Sequence, residues 1–481
     1  MLQFSVSEVA AATAATVLVE GERCVTNVVI DSRAVAQGSL FVCFSGEKVD
    51  GNVYAPSAIE HGAAAIALTA EPDASVIQLA RDHGCALLRA QDDDPTEFML
   101  RLASAWRARN PQWVLVGVTG SVGKTTCKDM LAAGLAVGGS VHATAGNHNN
   151  LVGMSLTILS AKASDEFVVC EMGMDHAGEL TRLSAVARPD VALITNVGTS
   201  HIGNLGSREA IARAKAEICS GMRPTDDAEA NVPSCLVMTS DNDFGPLIEQ
   251  EYAAPAGIKV MRVGATDECA VRTTSITLDD QSFPTVALSF SDGCELFATL
   301  DVPGVHVVSD FLLAMAIIWL LGVDRAHAAE AIAHMPRTGM RLEVKQAPGR
   351  PRVIDDSYNA SPNSMAGALD VLTSMRCEGR RVAVLGEIGE LGDDAARLHG
   401  YVGAYAAAKH PDMLVIVGSE NADHMAEAAL TMGFSPDRLE RFADGASALS
   451  ALKGVFGEDD LVLVKASRFV QLDHFAKGVL A

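Results

Sequence analysis

The sequence predicts an α/β protein of three domains whose central domain contains a doubly wound parallel sheet. Short apolar runs of strand length alternate along the chain with longer segments of helical periodicity, which is the pattern of α/β folds. The chain has 481 residues, which corresponds to about three domains at roughly 150 residues each. Turn and breaker residues interrupt the alternation near Pro111 and Pro336, so we predict domains over 1–110, 111–336 and 337–481.

The first domain is predicted to be a small α/β unit. Helices are predicted over 54–61 and 96–108, and the pair Asn110-Pro111 prevents the second helix from continuing. The strands are short runs rich in apolar residues, at 25–30, 40–44, 64–68 and 85–89. The segment before them carries Glu8 and no basic start, which argues against a signal peptide.

The second domain opens with the most informative segment of the chain, Gly120-Ser121-Val122-Gly123-Lys124-Thr125-Thr126. The apolar run 114–118 precedes this segment, and a helix predicted over 125–136 follows it. Glycines let the backbone approach phosphate oxygens, a helix N-terminus offers unpaired N–H groups, and Lys124 adds a positive charge. The hydroxyl of Thr125 is placed to reach Mg²⁺. The segment therefore predicts a nucleoside triphosphate site, although Val118 stands where the usual motif begins with glycine.

The second domain continues with apolar runs bounded by turn residues, as expected for parallel strands that are buried on both faces. These runs lie at 167–170, 191–195 and 236–239. The apolar run 311–323 predicts a buried helix that is too short to span a membrane, and the acid-rich residues 223–234 predict a surface loop. The third domain resumes the alternation, with strands predicted at 352–355, 382–385, 413–417 and 461–464.

The composition limits the classes of partner. The chain has 37 Lys and Arg against 60 Asp and Glu, and the resulting net charge of −23 repels nucleic acid and anionic membranes. Its ten cysteines include no C-x-x-C pair, so we expect free thiols in a reducing compartment rather than a zinc cage or disulfides. We therefore expect a soluble cytoplasmic protein with no nucleic-acid partner and no membrane insertion, and we expect it to be a monomer.

Polar residues follow predicted strands at the sheet edge where open α/β proteins bind ligands. Glu171 ends one buried strand and is a candidate Mg²⁺ ligand, although many acids at strand ends are simply exposed. His201 follows the next strand, and a lone histidine is more often structural than a ligand. Lys215 has alanine neighbours on a helix predicted over 207–217, and from these neighbours alone it would be a solvated charge on an exposed face.

The third domain contributes the segment Asp355-Asp356-Ser357-Tyr358-Asn359-Ala360, which follows a predicted strand. Asp356 is placed to accept hydrogen bonds from ribose hydroxyls and Tyr358 to stack on a ring, while an Asx turn is the alternative explanation. The chain has no Asn-Lys-x-Asp motif for reading a guanine base, which argues against a switch GTPase.

These segments together resemble the Mur ligases, which are ATP-dependent amide-forming enzymes of peptidoglycan precursor synthesis. Residues 119–125 are similar to the short T-G-x-x-G-K-[TS] loop of that family, which accounts for Val118. Residues 146–153 are similar to the G-N-x-N-N-x-x-G run of the branch that joins D-alanyl-D-alanine to UDP-N-acetylmuramoyl-tripeptide. Further similar segments, which extend the resemblance over nearly the whole chain, lie at 214–218, 356–360, 386–392 and 464–468.

The resemblance implies a fold in three parts and a set of catalytic roles. An N-terminal domain would bind the UDP-sugar, a central domain would bind ATP, and a C-terminal Rossmann-like domain would bind the incoming amine and close over the site. Lys124 would hold the β and γ phosphates of ATP, and Thr125 and Glu171 would hold one Mg²⁺. His201 would hold a second metal ion, supported by Lys215 after its carbamylation by CO₂.

The resemblance also implies contacts with the substrates. The uridine nucleotide would contact four residues of the first domain, Ser32, Arg33, Gly46 and Asp50. Asn147 would approach the reacting groups, and Asn149 and Asn150 would contact the substrate. The third domain would meet ATP through Arg341 and Asp356. It would contact the other substrates through four further residues, Tyr358, Asn359, Lys465 and Arg468, of which Lys465 or Arg468 would hold the carboxylate of the dipeptide.

Several positions depart from the family pattern. Asp310 replaces an asparagine near adenine, and an ionised carboxylate there can accept from the adenine amino group but cannot donate to a ring nitrogen. Asp175 stands where asparagine is common, Ser155 replaces a frequent proline, and Ala466 replaces a glycine. None of these departures removes an implied metal ligand.

Two other functions stay open. A related ligase would use another amine or acyl acceptor, as folylpolyglutamate and cyanophycin-type enzymes do, but the segments 31–33 and 46–52 favour a UDP-sugar over folate. A non-catalytic ATP-binding scaffold would keep the fold without turnover. The intact set of implied catalytic and metal-binding residues argues against a scaffold: Lys124, Thr125, Glu171, His201 and Lys215.

Overall fold

The computed structural model describes residues 2–46, 49–336 and 338–481. These residues form three β-sheets that follow one another along the chain, with helices packed against them. The predicted α/β class is therefore confirmed. The domain boundaries near residues 110 and 336 stay predictions, and Arg337, the first residue of the predicted third domain, lies outside the described residues.

The first sheet is built from five strands, β1 (Thr16–Val19), β2 (Asn27–Val29), β3 (Ser39–Val42), β4 (Ala65–Leu68) and β5 (Ala86–Arg89). Its strand order is β1-β5-β4-β3-β2, with β1 antiparallel to β5 and the other pairs parallel. The helices of this region are α1 (Val6–Thr13), α2 (Ala55–Glu60), α3 (Ala74–His83) and α4 (Pro95–Arg109). Three of these elements, α1, β1 and α3, were not predicted from the sequence. The start of α1 is fixed by a capping box between Ser5 and Glu8.

The second sheet has nine strands, β6 (Val114–Thr119), β7 (Val141–Ala143), β8 (Phe167–Glu171), β9 (Val191–Ile194), β10 (Cys235–Thr239), β11 (Lys259–Gly264), β12 (Val271–Leu278), β13 (Pro284–Phe290) and β14 (Glu295–Thr299). The strand order is β14-β13-β12-β11-β10-β9-β6-β8-β7, and neighbouring strands from β7 across to β12 are parallel.

Helices cover both faces of this second sheet, as a doubly wound fold requires. They are α5 (Lys124–Leu135), α6 (Leu151–Ser160), α7 (Glu179–Ala187), α8 (Ile202–Leu205), α9 (Arg208–Ala216), α10 (Gly245–Ile248), α11 (Val307–Leu320) and α12 (Arg325–Ala333). Leu115 of β6 packs into the apolar cluster on one face, which includes residues of α6 and α7. Val116 packs into the cluster on the other face, which includes residues of α5 and α11.

One edge of the second sheet is antiparallel, which the sequence analysis did not predict. β12 pairs with β13, and β13 pairs with β14, in two consecutive hairpins. β14 alternates exposed and half-buried residues, and β12 is exposed over its second half. Such strands lack the continuous apolar run by which the buried strands were recognised. The predicted parallel strands of the doubly wound sheet are present, and these two hairpins add an antiparallel edge to it.

The third sheet has six strands, β15 (Glu343–Lys345), β16 (Arg352–Asp356), β17 (Arg381–Gly386), β18 (Met413–Val417), β19 (Leu439–Phe442) and β20 (Leu461–Lys465). Its order is β15-β16-β20-β17-β18-β19, with β15 antiparallel to β16 and the other pairs parallel. Its helices are α13 (Pro362–Ser374), α14 (Ala395–Ala408), α15 (Glu420–Thr431), α16 (Gly445–Leu452) and α17 (Asp473–Leu480). β20 lies between β16 and β17 and is parallel to both, so the carboxyl ends of these three strands lie side by side at one edge of the sheet.

The buried helix predicted over 311–323 is α11, which begins earlier, at Val307, and is buried along almost its whole length. No helix within the described ranges is both long and apolar enough to cross a membrane. All ten cysteines are free, and the thiols that are fully buried are those of Cys43, Cys85, Cys127, Cys170, Cys219, Cys235 and Cys269.

The first and second sheets meet at a buried interface. Trp106 on α4 and Trp113 just before β6 pack edge to face, with ring centroids 6.1 Å apart. Arg107 on α4 pairs with Asp190 at 3.0 Å, and the two side chains are 6% and 10% exposed. The Arg107 guanidinium also donates to four backbone carbonyls, those of Asn110, Trp113, Ala187 and Arg188. The buried charge at this interface is therefore fully hydrogen-bonded.

Candidate active site

A cavity of about 880 Å³ opens between the second and third sheets. It lies where the strands β6, β8, β9, β16 and β20 end, which is the edge at which open α/β sheets bind ligands. Most residues that the sequence analysis proposed for these two domains line it: Ser121, Val122, Gly123, Lys124, Thr125, Thr126, Asn147, Asn149, Asn150, Glu171, His201, Asp310, Arg341, Asp356, Tyr358, Asn359 and Lys465.

The phosphate loop joins the end of β6 to the start of α5. Gly120 has a φ of +147° and Gly123 a φ of +88°, conformations that residues with a side chain rarely adopt. A Cβ atom on Gly120 would collide with the Thr195 hydroxyl, and one on Gly123 would collide with the Asp310 carboxyl. Both glycines are therefore required for this loop shape, which presents the N-terminus of α5 to the cavity.

Asn196 holds the phosphate loop in place, and the sequence analysis did not single it out. Its backbone carbonyl accepts from Ser121 N at 3.1 Å and its side-chain oxygen accepts from Val122 N at 3.1 Å. Its side-chain amide donates to Val122 O at 2.9 Å. The one sequence signal for this role was the place of Asn196, just beyond the end of β9.

Lys124 is the first residue of α5 and is folded back over the loop, where its Nζ donates to Gly120 O at 2.8 Å. Burial lowers the pKa of Lys124, and the carboxylate of Glu171 opposes this shift most strongly, followed by those of Asp175 and Glu390. The ammonium group thus lies at the end of the cavity where carboxylates gather. A phosphate chain bound there needs further cations to offset these carboxylates.

The side chains of Thr125 and Glu171 meet beside the phosphate loop. Thr125 Oγ1 donates to Glu171 Oε2 at 2.9 Å, and Asn149 Nδ2 donates to Glu171 Oε1 at 2.8 Å. Thr125 and Glu171 are buried, at 3% and 2% exposure. A hydroxyl and a carboxylate at the mouth of a phosphate loop are hard oxygen donors of the kind that Mg²⁺ prefers. The residues present therefore fit a Mg²⁺ ion shared with bound phosphates.

Lys215 is 1% exposed, so the expectation of a solvated charge on an exposed helix face is wrong. Its neighbours Ala214 and Ala216 are buried as well, because small side chains let α9 pack closely on the protein interior. Burial lowers the pKa of Lys215 well below its usual value, Lys124 lowers it further, and Asp175 opposes the shift. An uncharged amine is the form that reacts with CO₂, so this environment favours the predicted carbamylation.

His201 lies between two carboxylates that come from opposite sides of the cavity. Its Nδ1 atom is 3.0 Å from Asp175 Oδ1 and 2.6 Å from Glu390 Oε2. The backbone of His201 is left-handed, with a φ of +64°, which is uncommon for residues with a side chain. In the sequence, Asp175 stood out only as a departure from the family pattern, and Glu390 only as part of the segment 386–392. The structure places both beside the predicted metal ligand.

Asp356 ends β16 and faces the cavity from the third domain. Its Oδ2 accepts from Lys465 Nζ at 2.6 Å, and its Oδ1 accepts from Leu342 N at 3.2 Å. Lys465 also donates to Asn359 O at 3.0 Å, and its side chain is 3% exposed. Lys465 is therefore paired with Asp356, as Arg468 is with Asp473 at 3.6 Å.

Tyr358 is covered on one ring face by Arg341. The guanidinium carbon of Arg341 lies 4.4 Å from the centre of the Tyr358 ring, a cation–π contact. The predicted stacking of Tyr358 on a ligand therefore has only the opposite ring face to use.

Asp310 faces the phosphate loop from α11 and is 7% exposed. Burial raises the pKa of Asp310 well above its usual value, and no neighbouring cation in the described part of the chain offsets the shift. A protonated carboxyl group donates one hydrogen bond and accepts another, as an asparagine side chain does. Only an ionised Asp310 is unable to donate a hydrogen bond, and this environment disfavours the ionised form.

Seven of the proposed residues do not line the cavity: Gly120, Lys215, Arg468, Ser32, Arg33, Gly46 and Asp50. Arg468 is 58% exposed. The last four belong to the first sheet region, where Arg33 pairs with Asp31 at 2.6 Å and Asp50 accepts from Ser45 Oγ at 3.0 Å. The structure thus separates the residues proposed for the uridine nucleotide from those proposed for ATP.

Three family models match the chain, one for each sheet region. They are the Mur ligase family, catalytic domain over residues 24–106, the Mur ligase middle domain over 118–318, and the Mur ligase, glutamate ligase domain over 340–468. A curated relative, UDP-N-acetylmuramoyl-tripeptide–D-alanyl-D-alanine ligase from Bacillus subtilis (strain 168), is 33% identical over 94% of this chain and 93% of its own length. The protein of the same name from Escherichia coli (strain K12) is 28% identical over 94% and 93%.

Solved structures agree with these matches. A crystal structure of MurF from Acinetobacter baumannii has a TM-score of 0.85 and 27% identity, and the superposition covers 99% of both chains. A crystal structure of MurF ligase from Thermotoga maritima in complex with ADP shares the fold, with a TM-score of 0.76 and 24% identity over 95% of this chain and 98% of that one. Relatives therefore match this chain almost from end to end in sequence and in fold, and the chain belongs to the Mur ligase family.

Proposed function

We propose that this chain is an ATP-dependent ligase that joins D-alanyl-D-alanine to UDP-N-acetylmuramoyl-tripeptide and releases ADP and phosphate, in the synthesis of peptidoglycan precursors. The observation that carries the proposal is the convergence of Lys124, Thr125 and Glu171 at one end of a cavity that the third domain faces with Asp356. A phosphate loop alone would suit any ATPase. A loop that faces another domain across a cleft suits a reaction in which ATP activates one substrate for attack by a second.

The choice of substrates is supported by the shared name of relatives that span the whole chain, including those from Bacillus subtilis (strain 168) and Escherichia coli (strain K12). The four first-domain residues would hold the uridine nucleotide, Ser32, Arg33, Gly46 and Asp50. The three asparagines of the loop before α6 would position the tripeptide carboxyl group, Asn147, Asn149 and Asn150.

ATP would lie along the cavity between the second and third domains. The N–H groups at the start of α5 and the ammonium of Lys124 would hold its β and γ phosphates. Asp356 would accept hydrogen bonds from the ribose, and Arg341 would contact the nucleotide from the same side. Asp310, as a neutral carboxyl group, would both donate to and accept from adenine.

Two divalent cations are part of the proposal. Thr125 and Glu171 would hold one Mg²⁺, and His201 together with carbamylated Lys215 would hold a second. When bound, these cations would offset the charge on the phosphoryl oxygens.

The reaction itself would proceed in two steps. The carboxylate oxygen of the tripeptide attacks the γ-phosphorus of ATP, the bond from that phosphorus to ADP breaks, and an acyl phosphate forms. The amine of D-alanyl-D-alanine then attacks the acyl carbon, and the tetrahedral intermediate collapses to the amide as phosphate leaves. Lys124 would stabilise the phosphoryl charge in the first step, and Lys465 or Arg468 would hold the carboxylate of the dipeptide in the second.

Water must be kept from the acyl phosphate until the amine arrives. Closure of the third domain over the cavity would exclude it. The buried free thiols are suited to a reducing compartment such as the cytoplasm. We therefore propose that the enzyme is cytoplasmic, and its expected monomeric state stays a prediction.

The proposal is tested by phosphate release from ATP and Mg²⁺ with UDP-N-acetylmuramoyl-tripeptide and D-alanyl-D-alanine, each omitted in turn. Full release is expected only when all components are present. Release that ignores the dipeptide would contradict this substrate assignment and favour a ligase with another amine. No release under any combination, from protein that still binds ATP, would favour a scaffold.

A further inference from the structure

The contacts around His201 are unusual for a histidine that merely pairs with an acid. Oxygens of Asp175 and Glu390 both approach the same ring nitrogen, Nδ1, at 3.0 and 2.6 Å. Within the described residues, however, Nδ1 is buried without a hydrogen-bond partner, because neither oxygen lies in the direction of an N–H bond. Two carboxylate oxygens that lie beside the lone pair of Nδ1 but off its axis have the arrangement expected when a cation on that axis binds all three atoms.

The spacing of these atoms suits such a cation. One ligand atom from each of the three residues lies within 4.8 Å of the others. At metal–ligand distances of about 2.1 Å, neighbouring ligands of an octahedral cation are ~3.0 Å apart, which is close to the two distances measured at Nδ1. The side chains of Asp175 and Glu390 are 58% and 56% exposed, so water has access to the remaining coordination positions, as Mg²⁺ prefers.

The three ligands come from two domains. Asp175 and His201 belong to loops that follow β8 and β9, while Glu390 follows β17 of the third sheet. The backbones meet at the same place, because Gly203 N donates to the carbonyl oxygen of Glu390 at 3.0 Å. A Cβ atom on Gly203 would lie 2.6 Å from Gly392 N. Glu390 therefore reaches His201 only while the third domain stays in contact with the second.

We propose that Asp175, His201 and Glu390 form a divalent cation site shared between the second and third domains, so that cation binding holds the two domains together. The proposal rests on the proposed function only in giving His201 a metal. It adds Asp175 and Glu390 as ligands, and it makes cation binding and domain closure one event.

The test uses the full-length protein without nucleotide and Mn²⁺ as the probe, with binding followed by calorimetry and by the electron paramagnetic resonance signal of free Mn²⁺. Glu390→Gln and Asp175→Asn each remove one ligand charge and keep the side-chain shape. Each is expected to weaken the tightest Mn²⁺ site by at least about tenfold. Asp393→Asn, an exposed carboxylate three positions from Glu390, is the matched control and is expected to bind Mn²⁺ as the parent protein does.

A second measurement separates a shared site from a site within one domain. Small-angle X-ray scattering is expected to show that Mn²⁺ lowers the radius of gyration of the parent protein and of Asp393→Asn but not that of Glu390→Gln. Mn²⁺ binding in Glu390→Gln at parental affinity, or compaction by Mn²⁺ that does not need Glu390, would overturn the proposal. Neither readout requires turnover, so failure here is distinguishable from failure of the proposed ligase activity.

Discussion

The second domain contacts the first domain through buried side chains and the third domain through more exposed ones. At the boundary with the first domain, Arg107 and Asp190 are 6% and 10% exposed and lie among tryptophans. At the boundary with the third domain, Asp175 and Glu390 are more than half exposed and line an open cavity. Opening the first boundary would strand a buried charge and expose apolar rings, whereas opening the second would break exposed polar contacts such as the ion pair of Arg376 with Asp280.

This difference indicates which parts of the enzyme move. The first two domains are expected to behave as one body, and the third is expected to swing on its linker. One hydrogen bond ties that linker to the phosphate-loop helix, since Thr338 Oγ1 donates to Asp129 Oδ2 at 2.6 Å. Chemistry that needs both a wet state for substrate entry and a dry state for the acyl phosphate is placed at the boundary that can open.

The largest expected effect is a loss of kcat at the site between the second and third domains. Lys215→Ala is expected to lower kcat by roughly 1,000-fold, or ~4 kcal/mol in activation free energy, because a group supporting the second cation is lost. Added short carboxylates are expected to restore part of the activity by occupying the vacated space. The measurement is phosphate release with and without acetate or formate.

Arg213→Ala, on the partly exposed side of the same helix α9, serves as the control and is expected to keep its activity. Full activity in Lys215→Ala would rule out a carbamate at this position.

The second-largest expected effect is a loss of stability at the interface between the first and second domains. Asp190→Ala leaves Arg107 buried without its carboxylate and is expected to lower the free energy of unfolding by about 3 kcal/mol. Urea unfolding followed by tryptophan fluorescence reports the change, since Trp106 and Trp113 lie at this interface.

The matched variant is Asp243→Ala, which removes an exposed partner of Arg208 and is expected to cost ~0.5 kcal/mol or less. Equal losses for the two variants would mean that the first boundary is no more buried in solution than an ordinary surface pair.

A third variant tests the docking of the third domain against the second. Gly203→Ala adds a methyl group that meets the backbone of Gly392 only when the third domain is docked. We expect roughly tenfold lower kcat/KM, with unfolding free energy unchanged or slightly raised, because alanine favours a helix over glycine. Steady-state kinetics and urea unfolding together test this.

The neighbouring variant Asn204→Ala, at an exposed position of α8, is expected to match the parent in both measurements. Parental kinetics in Gly203→Ala would mean that the contact with Gly392 is not needed during turnover.

The smallest effect compares two buried acids of the second domain, Asp190 with its arginine and Asp310 without one. Burial raises the pKa of Asp310 well above its unfolded value, so the folded protein holds a proton that the unfolded chain releases. The stability contributed by this group is present below the unfolded pKa and is lost as pH rises towards the folded pKa. Asp310→Asn is therefore expected to gain about 1 kcal/mol over the parent at pH 8 and less at pH 5, measured by urea unfolding.

A gain for Asp310→Asn that does not change with pH would mean that Asp310 is ionised in the folded protein. ATP affinity measured on the same variant shows whether an amide replaces the carboxyl group at the nucleotide.

Local patterns explain why much of this molecule could be predicted from sequence. The conformation around Lys124 is specified within a few residues, because the strand, the glycines and the helix follow one another directly in the sequence. The buried strands are recognisable as continuous apolar runs. Lys215 shows the opposite case, since its alanine neighbours fit an exposed face and a tightly packed one equally well. The meeting of Glu390 with His201 depends on how two domains dock, which no local pattern encodes. The antiparallel strands were missed because exposed residues along β12 and β14 interrupt the apolar run that marks a buried strand.

The buried pair of Arg107 and Asp190 has a consequence for substrate selection. If the first two domains cannot shift against each other, the span from the proposed uridine contacts to the phosphate loop is constant. With this distance constant, an acyl substrate bound by its nucleotide brings its carboxyl group to Lys124 only if the intervening peptide has the right length. The enzyme would then select peptide length without a side chain that contacts each residue of the peptide.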